Sequence, residues 1–123
     1  MKHACLDPSA WIEIAHNGPN AKVFLKAAGD MSQVIVSTIT LYEVWKYSAT
    51  HADETRAEQL HGLLLQAKVI APDTEISIAG AKLSIRHKIA MADALTYATS
   101  LHLKATLWTQ DSDFKRLSHV MIF

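Results

Sequence analysis

Four carboxylates stand where an apolar segment ends or a helix begins, and they are the residues best suited to chemistry. They are Asp7, Glu43, Asp93 and Asp111. Carboxylates that converge without a cation repel one another and raise each other's pKa values. A hard divalent cation removes that cost, and Mg²⁺ and Mn²⁺ take oxygen ligands. Because such a metal lowers the pKa of a bound water, the set predicts a metal site suited to hydrolysis at a phosphoryl group.

Each of these carboxylates also has an interpretation that needs no metal. Asp7 and Asp93 could each cap the N-terminus of a helix. Thr40 and Glu43 have the spacing of a capping box. Asp111 could be a turn residue. Their joint placement, from four distant parts of the chain, is what favours the metal site.

The stretch LWTQDSDF, residues 107–114, holds a second aspartate close to the first. Asp111 lies nearer the end of the apolar run, so it is the stronger candidate ligand. Asp113 is the next candidate, although it could instead cap the short helix that follows. Ser9 and Thr109 are candidate donors that orient the carboxylates. We therefore predict that replacing Asp111 costs more activity than replacing Asp113.

The elements that must bring these residues together alternate along the chain. Strand-like apolar stretches occupy residues 3–6, 33–37, 69–71, 105–109 and 120–123. Helical spacing or capping signals mark residues 8–15, 21–28, 38–50, 53–68, 73–86 and 92–101. This alternation predicts an α/β fold, a three-layer α/β/α sandwich with a short, mainly parallel sheet. Since ligands bind beyond the carboxyl ends of such strands, Asp7 and Asp111 should share one edge.

Composition narrows the class of protein. The 123 residues fit one domain, residues 1–123. Lys plus Arg equals Asp plus Glu, 12 against 12, so no general basic field indicates a nucleic-acid binder, although a local patch would be enough. Cys5 is the only cysteine, which suits a reducing compartment. With neither a signal-like N-terminus nor an apolar run near the roughly 18 residues of a membrane span, we expect a cytoplasmic protein.

Three stretches resemble the PIN-domain ribonucleases in the expected order. CLDPSAWIEI resembles their opening, in which a strand ends in an aspartate. VSTITLYEVWKYS resembles their second motif, whose glutamate would be Glu43. MADALTYATSLHLKATLWTQDSDFKRL resembles the third and most specific block, with an aspartate at the start of an alanine-rich helix and Asp-x-Asp-Phe after a strand. The chain departs at Pro8, where the family mostly has Thr or Ser, and the nearest hydroxyl is that of Ser9.

The size of the chain is similar to that of VapC-type toxins of bacterial type II toxin–antitoxin pairs. That resemblance implies an endoribonuclease that uses Mg²⁺ or Mn²⁺, acts on an RNA substrate, is restrained by a cognate antitoxin and forms a homodimer. One or two ions would then be held, directly or through water, by Asp7, Glu43, Asp93 and Asp111. An alternative is a catalytically inactive PIN-fold module that binds RNA or protein. A phospho-acceptor signalling domain is disfavoured, because no lysine ends the last strand and no aspartate follows the middle strand.

Candidate RNA contacts are less distinctive. Two short basic runs, residues 86–88 and 115–116, could contact phosphates or could simply be solvated helix ends. Tyr42, Trp45 and Trp11 could stack on bases, or could fill a core or a dimer interface.

Overall fold

Five short parallel strands form the sheet in the computed structural model, which describes residues 3–123. They are β1 (His3–Leu6), β2 (Val34–Ser37), β3 (Lys68–Ile70), β4 (Ala105–Thr109) and β5 (Val120–Ile122). Their order across the sheet is β3-β2-β1-β4-β5, and every neighbouring pair is parallel. The carboxyl ends of all five strands therefore meet at one edge, which we call the carboxyl edge.

Six α-helices and two short 3₁₀ segments connect the strands. The helices are α1 (Pro8–Ala15), α2 (Ala21–Ala28), α3 (Thr38–His51), α4 (Glu54–Leu64), α5 (Thr74–His87) and α6 (Met91–His102). The 3₁₀ segments are Met31–Gln33 and Ser112–Phe114. No helix within residues 3–123 is long and apolar enough to cross a membrane. The predicted α/β/α sandwich is confirmed.

Helix α4 ends earlier than its sequence pattern predicts. The pattern extends to Lys68, but the helix stops at Leu64 and Lys68 already belongs to β3. The chain tightens here, since the backbone N–H of Ala67 donates to the carbonyl oxygen of Leu64 at 3.0 Å. That tight turn leaves Lys68 free to pair with Ile35 of β2.

The core lies on both faces of the sheet. Side chains alternate along β1, so Ala4 and Leu6 pack with α1, α2 and α4, whereas Cys5 packs with Tyr97 of α6 on the opposite face. Trp11 is fully buried in the first cluster, and its indole N–H donates to the carbonyl oxygen of Leu6 at 3.1 Å. The interpretation of Trp11 as a base-stacking residue is therefore wrong, because its ring anchors α1 against β1.

The register of β1 and β4 brings distant residues together at the carboxyl edge. Leu6 lies opposite Trp108, and the backbone N–H of Asp7 donates to the carbonyl oxygen of Trp108 at 3.2 Å. Residues that directly follow β1 therefore meet those that end β4, although about one hundred positions separate them in sequence.

Candidate metal centre

Asp7 follows β1 at the carboxyl edge and is only 3% exposed. It is the N-cap of α1, where its Oδ1 accepts the backbone N–H of Ala10 at 3.0 Å. Pro8 fits the first helical position, where its missing N–H is not needed. The capping interpretation of Asp7 is thus correct. It leaves the rest of the carboxylate available for other contacts.

Two hydroxyl groups hold that carboxylate in place. Ser9 Oγ donates to Oδ1 of Asp7 at 2.6 Å, and Thr109 Oγ1 donates to Oδ2 at 2.6 Å. The same hydroxyl oxygens accept backbone N–H groups, that of Gln110 on Ser9 and that of Asp111 on Thr109, both at 2.9 Å. This network fixes Asp7 relative to the loop that carries Asp111. Pro8 has no hydroxyl group, and the next residue, Ser9, supplies the one that contacts Asp7.

Three aspartates form the tightest acidic group. Asp93, Asp111 and Asp113 can each place one carboxylate oxygen so that all three oxygens lie within 4.8 Å of one another. Asp93 is in the first turn of α6, whose N-cap is Ala90, so the helix-capping interpretation of Asp93 is wrong. Asp111 caps the second 3₁₀ segment by accepting the N–H of Asp113 at 2.9 Å. Asp113 therefore does not cap that helix, and it joins the acidic group instead.

Glu43 approaches the same edge from α3 without capping the helix. The N-cap is Ser37, whose Oγ accepts the N–H of Ile39 at 3.1 Å, so the capping-box interpretation of Thr40 and Glu43 is wrong. The half-buried carboxyl of Glu43 has a raised pKa, through burial first and then through the charges of Asp7 and Asp111. Glu43 and Asp7 lie outside the three-aspartate group but beside it.

The electrostatics of the site are those of uncompensated negative charge. Burial, followed by the charges of the other four carboxylates, raises the pKa of Asp93 to about 6. Burial also raises the pKa of Asp7, against the lowering effect of its hydrogen bonds. Within residues 3–123, the one contact between a basic and an acidic side chain at salt-bridge distance joins His102 Nε2 and Glu75 Oε2 at 3.8 Å, at the other end of α6. The protein thus supplies five converging carboxylates without an ion-paired cation among the described residues.

Two buried hydroxyls lie one helical turn from carboxylates of the site. Thr40 and Thr96 are at most 1% exposed, and within the described part of the chain their Oγ1 atoms have no hydrogen-bond partner. Thr40 precedes Glu43 by three positions on α3, and Thr96 follows Asp93 by three on α6, so each lies one turn from a carboxylate. Buried polar groups are normally satisfied by protein or ordered water. An all-oxygen donor set fits a hard divalent cation such as Mg²⁺ or Mn²⁺.

The metal-free protein is expected to lose stability as the pH rises from 3.8 to about 6. The pKa of Asp93 is raised from its ordinary value of 3.8 to about 6, so the folded protein keeps a proton that the unfolded chain releases. This stabilisation is fully present below pH 3.8, the ordinary pKa, and is lost as the pH rises through about 6, the pKa in the folded protein. After allowance for solvent screening of the half-exposed side chain, we expect a loss of about 1 kcal/mol.

Urea unfolding in EDTA across this pH range measures the effect. The Asp93→Asn variant is the control, because it removes the carboxyl of Asp93 and keeps every other titratable group of the chain. Wild type should lose more stability with rising pH than Asp93→Asn. Parallel pH profiles would contradict the assignment of the effect to Asp93.

A row of side chains on α3 escaped the sequence analysis. Glu43, Tyr47 and His51 are spaced four residues apart, so they share one face of the helix. The rings of Tyr47 and His51 stack with centroids 4.0 Å apart. The spacing from Glu43 is the signal that could have identified them. Of the predicted aromatic candidates on this helix, Tyr42 is 63% exposed and Trp45 is half-buried.

The predicted basic contacts lie on the surface. All five residues of the two basic runs, Arg86, His87, Lys88, Lys115 and Arg116, are exposed. The first run ends α5 next to the start of α6, and the second follows the 3₁₀ segment that contains Asp113. Both runs therefore lie close in sequence to members of the acidic group, and their role as phosphate contacts stays a prediction.

Comparison with protein families gives one match. The model of the PIN domain matches residues 4–120. No curated protein sequence matches the chain.

Several solved structures share the fold over nearly their whole length. A chain of a toxin–antitoxin complex from Klebsiella pneumoniae has a TM-score of 0.82 at 24% identity, covering 96% of this chain and 95% of that one. VapC20 from Mycobacterium tuberculosis, a toxin that cleaves the sarcin–ricin loop, has a TM-score of 0.78 at 16% identity, with coverage of 94% and 95%. A chain of DNA-bound VapBC from Salmonella typhimurium has a TM-score of 0.74 at 18% identity, with coverage of 100% and 98%. At these identities the likeness establishes the fold.

Proposed function

Because the chain belongs to the PIN domain family, we propose that it is a metal-dependent endoribonuclease that hydrolyses phosphodiester bonds of RNA. The observation that carries the proposal is the group formed by Asp93, Asp111 and Asp113, whose oxygens lie within 4.8 Å of one another. Glu43 and Asp7 stand beside this group, and burial together with like charge raises their pKa values. Such a set is costly to a fold unless a cation binds it.

The residues divide into ligands and residues that position them. Asp93, Asp111 and Asp113 would hold one Mg²⁺ or Mn²⁺ directly, with Asp7 and Glu43 contributing directly or through water. When bound, the metal neutralises charge on the phosphoryl oxygens and lowers the pKa of a coordinated water.

Asp7 and Glu43 suit different tasks. Asp7 is held by donors from Ser9, Thr109 and Ala10, so its carboxylate is fixed before substrate arrives. Among the described residues, no hydrogen-bond donor fixes the carboxylate of Glu43. Its raised pKa suits a carboxylate oxygen that accepts a proton at the carboxyl edge.

We further propose that the protein is the toxin of a bacterial toxin–antitoxin pair. Support comes from the resemblance of the sequence to VapC-type toxins and from the near-complete coverage of structures described as toxin–antitoxin proteins. A cognate antitoxin would then bind the protein and restrain it, and two copies would form a homodimer in the cytoplasm. The presence of Ser9 next to Asp7 removes the main reason for favouring an inactive module.

Removing the metal is expected to abolish cleavage and to lower stability. Purified protein is incubated with total bacterial RNA in Mg²⁺, Mn²⁺ or EDTA, and the 5′ ends of the fragments are mapped. Cleavage at defined sites should require a metal. The melting temperature should rise with metal concentration, because a ligand at one hundred times its Kd adds about 2.7 kcal/mol of stability.

Each outcome of this experiment decides between the alternatives. Cleavage that persists in EDTA would contradict metal dependence. Absence of both cleavage and metal-dependent stabilisation would favour an inactive binding module. The control is Asp73→Asn, because Asp73 caps α5 with a hydrogen bond that Asn can replace. Asp73 also lies away from Asp93, since its neighbour Glu75 contacts His102 at the opposite end of α6.

A further inference from the structure

The face of α3 beyond Glu43 is not used by the proposed metal centre. We propose that this face, which we call the α3 strip and define as Lys46, Tyr47 and His51 with His16, the residue that follows α1, is a subsite for single-stranded RNA. One unpaired base would stack on the ring pair, and the ammonium group of Lys46 would contact a flanking phosphate. The inference rests on the proposed nuclease function and deepens it by naming the form of the substrate.

The α3 strip begins one helical turn beyond Glu43, which lies at the carboxyl edge. Glu43, Tyr47 and His51 occupy successive turns of one helix face, about 6 Å apart along the axis. An RNA strand held at Glu43 therefore meets Tyr47 next. A shallow cavity of about 280 Å³ follows the same path and is lined by Tyr42, Glu43, Lys46, Tyr47, Thr50 and His51.

The ring pair is arranged as a stacking platform. The rings of Tyr47 and His51 are stacked nearly parallel, with an interplanar angle of 17° and centroids 4.0 Å apart. His51 Nδ1 lies 2.9 Å from the carbonyl oxygen of Tyr47, and a carbonyl only accepts hydrogen bonds, so Nδ1 carries a proton. That bond fixes the ring and leaves Nε2 for another partner. Tyr47 is half-buried and His51 is exposed, so the fixed pair offers a base an accessible π face through the His51 ring.

A lysine and an arginine lie along the same path, together with the ring of His16. The ring of His16 meets Tyr47 edge-on at 6.1 Å, and the ammonium group of Lys46 lies 5.7 Å from the centroid of the Tyr42 ring. Arg56 of α4 donates through one guanidinium nitrogen to the carbonyl oxygen of Ala15 at 2.9 Å, so it borders the cleft between α1 and α3. In a chain with no net charge, this local set supplies attraction for phosphates.

These features favour single-stranded RNA over a duplex. Bases in a duplex already stack on each other and present no free face, whereas unpaired bases stack on aromatic side chains. The i,i+4 contact between the two rings contributes only a few tenths of a kcal/mol to the helix. A role in substrate binding therefore explains the arrangement better than a role in stability.

Tyr47→Leu and Tyr47→Phe form the matched pair that tests the subsite. Leucine removes the π face, and phenylalanine keeps it. In the cleavage assay Tyr47→Leu should raise KM roughly tenfold, with little change in kcat, whereas Tyr47→Phe should stay near wild type. His51→Ala should act in the same direction as Tyr47→Leu. His102→Ala is the control, because His102 ends α6 away from Asp93.

A second readout reports stacking itself. A single-stranded RNA dodecamer with one 2-aminopurine is titrated into protein carrying Asp93→Asn, which we expect not to cleave it. Fluorescence should fall on binding, as it does when 2-aminopurine stacks, and the fall should be smaller with Tyr47→Leu added. Thermal melting of each variant verifies that the fold is intact.

The two readouts separate failure of the subsite from failure of the proposed function. If wild type cleaves RNA and Tyr47→Leu matches it in KM and in quenching, the subsite is wrong and the nuclease function stands. If wild type cleaves nothing but the quenching depends on Tyr47, the subsite stands and the nuclease function fails. If Tyr47→Leu changes only the capture of a co-expressed antitoxin, the strip is a protein-binding surface and the proposal is overturned.

Discussion

Replacing Asp93 with asparagine is expected to abolish RNA cleavage while making the metal-free fold more stable. Asp93 belongs to the group whose oxygens converge within 4.8 Å, so the variant loses one charged ligand from the centre of the site. Charge stabilisation by a metal contributes several kcal/mol to a transition state, and each 1.36 kcal/mol is tenfold in rate. We therefore expect kcat to fall at least about 100-fold.

The gain in stability follows from the same charges. At neutral pH the carboxylate of Asp93 is ionised against its raised pKa of about 6, facing four other carboxylates. Asparagine keeps the shape and removes that repulsion. With allowance for solvent screening, the expected gain is about 1 kcal/mol, or a few degrees in melting temperature.

Paired measurements of kcat and melting temperature in EDTA test both expectations. If Asp93 were needed only for the fold, its replacement would lower the activity and the stability of the protein together. Wild-type cleavage by Asp93→Asn would remove Asp93 from the site, and a lower melting temperature would show that its charge is not repelled in the folded protein. Addition of Mn²⁺ should stabilise wild type more than the variant, because the variant lacks one ligand.

The fold could be predicted from the sequence because its signals are local. Continuous apolar runs such as Val34–Ser37 are typical of strands buried on both faces, and helices between them require parallel pairing. The same topology places Asp7 and Asp111 at one edge. Helix ends were less certain, since Thr40 and Glu43 matched a capping box although Ser37 caps the helix one position before it begins.

Details of the site depend on side-chain geometry that the pattern does not contain. The hydrogen bonds of Ser9 and Thr109 with Asp7 require the register of β1 against β4, which no short motif specifies. Asp113 joins Asp93 and Asp111 because Asp111 turns the chain back into a 3₁₀ segment. The prediction that Asp111 matters more than Asp113 stays a prediction, and comparing the two asparagine variants would test it.

Replacing Thr109 with valine is expected to damage both the fold and the site. Thr109 is fully buried, and its hydroxyl donates to Oδ2 of Asp7 and accepts the N–H of Asp111. Valine has nearly the same shape but leaves two buried polar groups without this partner. Such losses cost about 1–3 kcal/mol each for neutral groups and more for a charged one, so we expect a destabilisation of about 2–4 kcal/mol.

Activity should fall further than stability explains, because Thr109 is a positioning residue. Partners of metal ligands typically contribute 10–100-fold, so we expect a loss in that range for molecules that remain folded. The matched control is Thr109→Ser, which keeps the hydroxyl and should recover most of the activity. Cleavage is measured well below the melting temperature of each variant, so that unfolding does not contribute.

The pH profile separates positioning from a purely structural role. The hydrogen bond from Thr109 lowers the pKa of Asp7, so its loss should raise that pKa further. The ionised form of Asp7 would then be reached only at higher pH, and the acidic limb of the activity profile of Thr109→Val should move upward relative to Thr109→Ser. If Thr109→Val were less stable but kept the activity and the pH profile of Thr109→Ser, the hydroxyl would support the fold alone. In that case Asp7 would reach its working geometry without it.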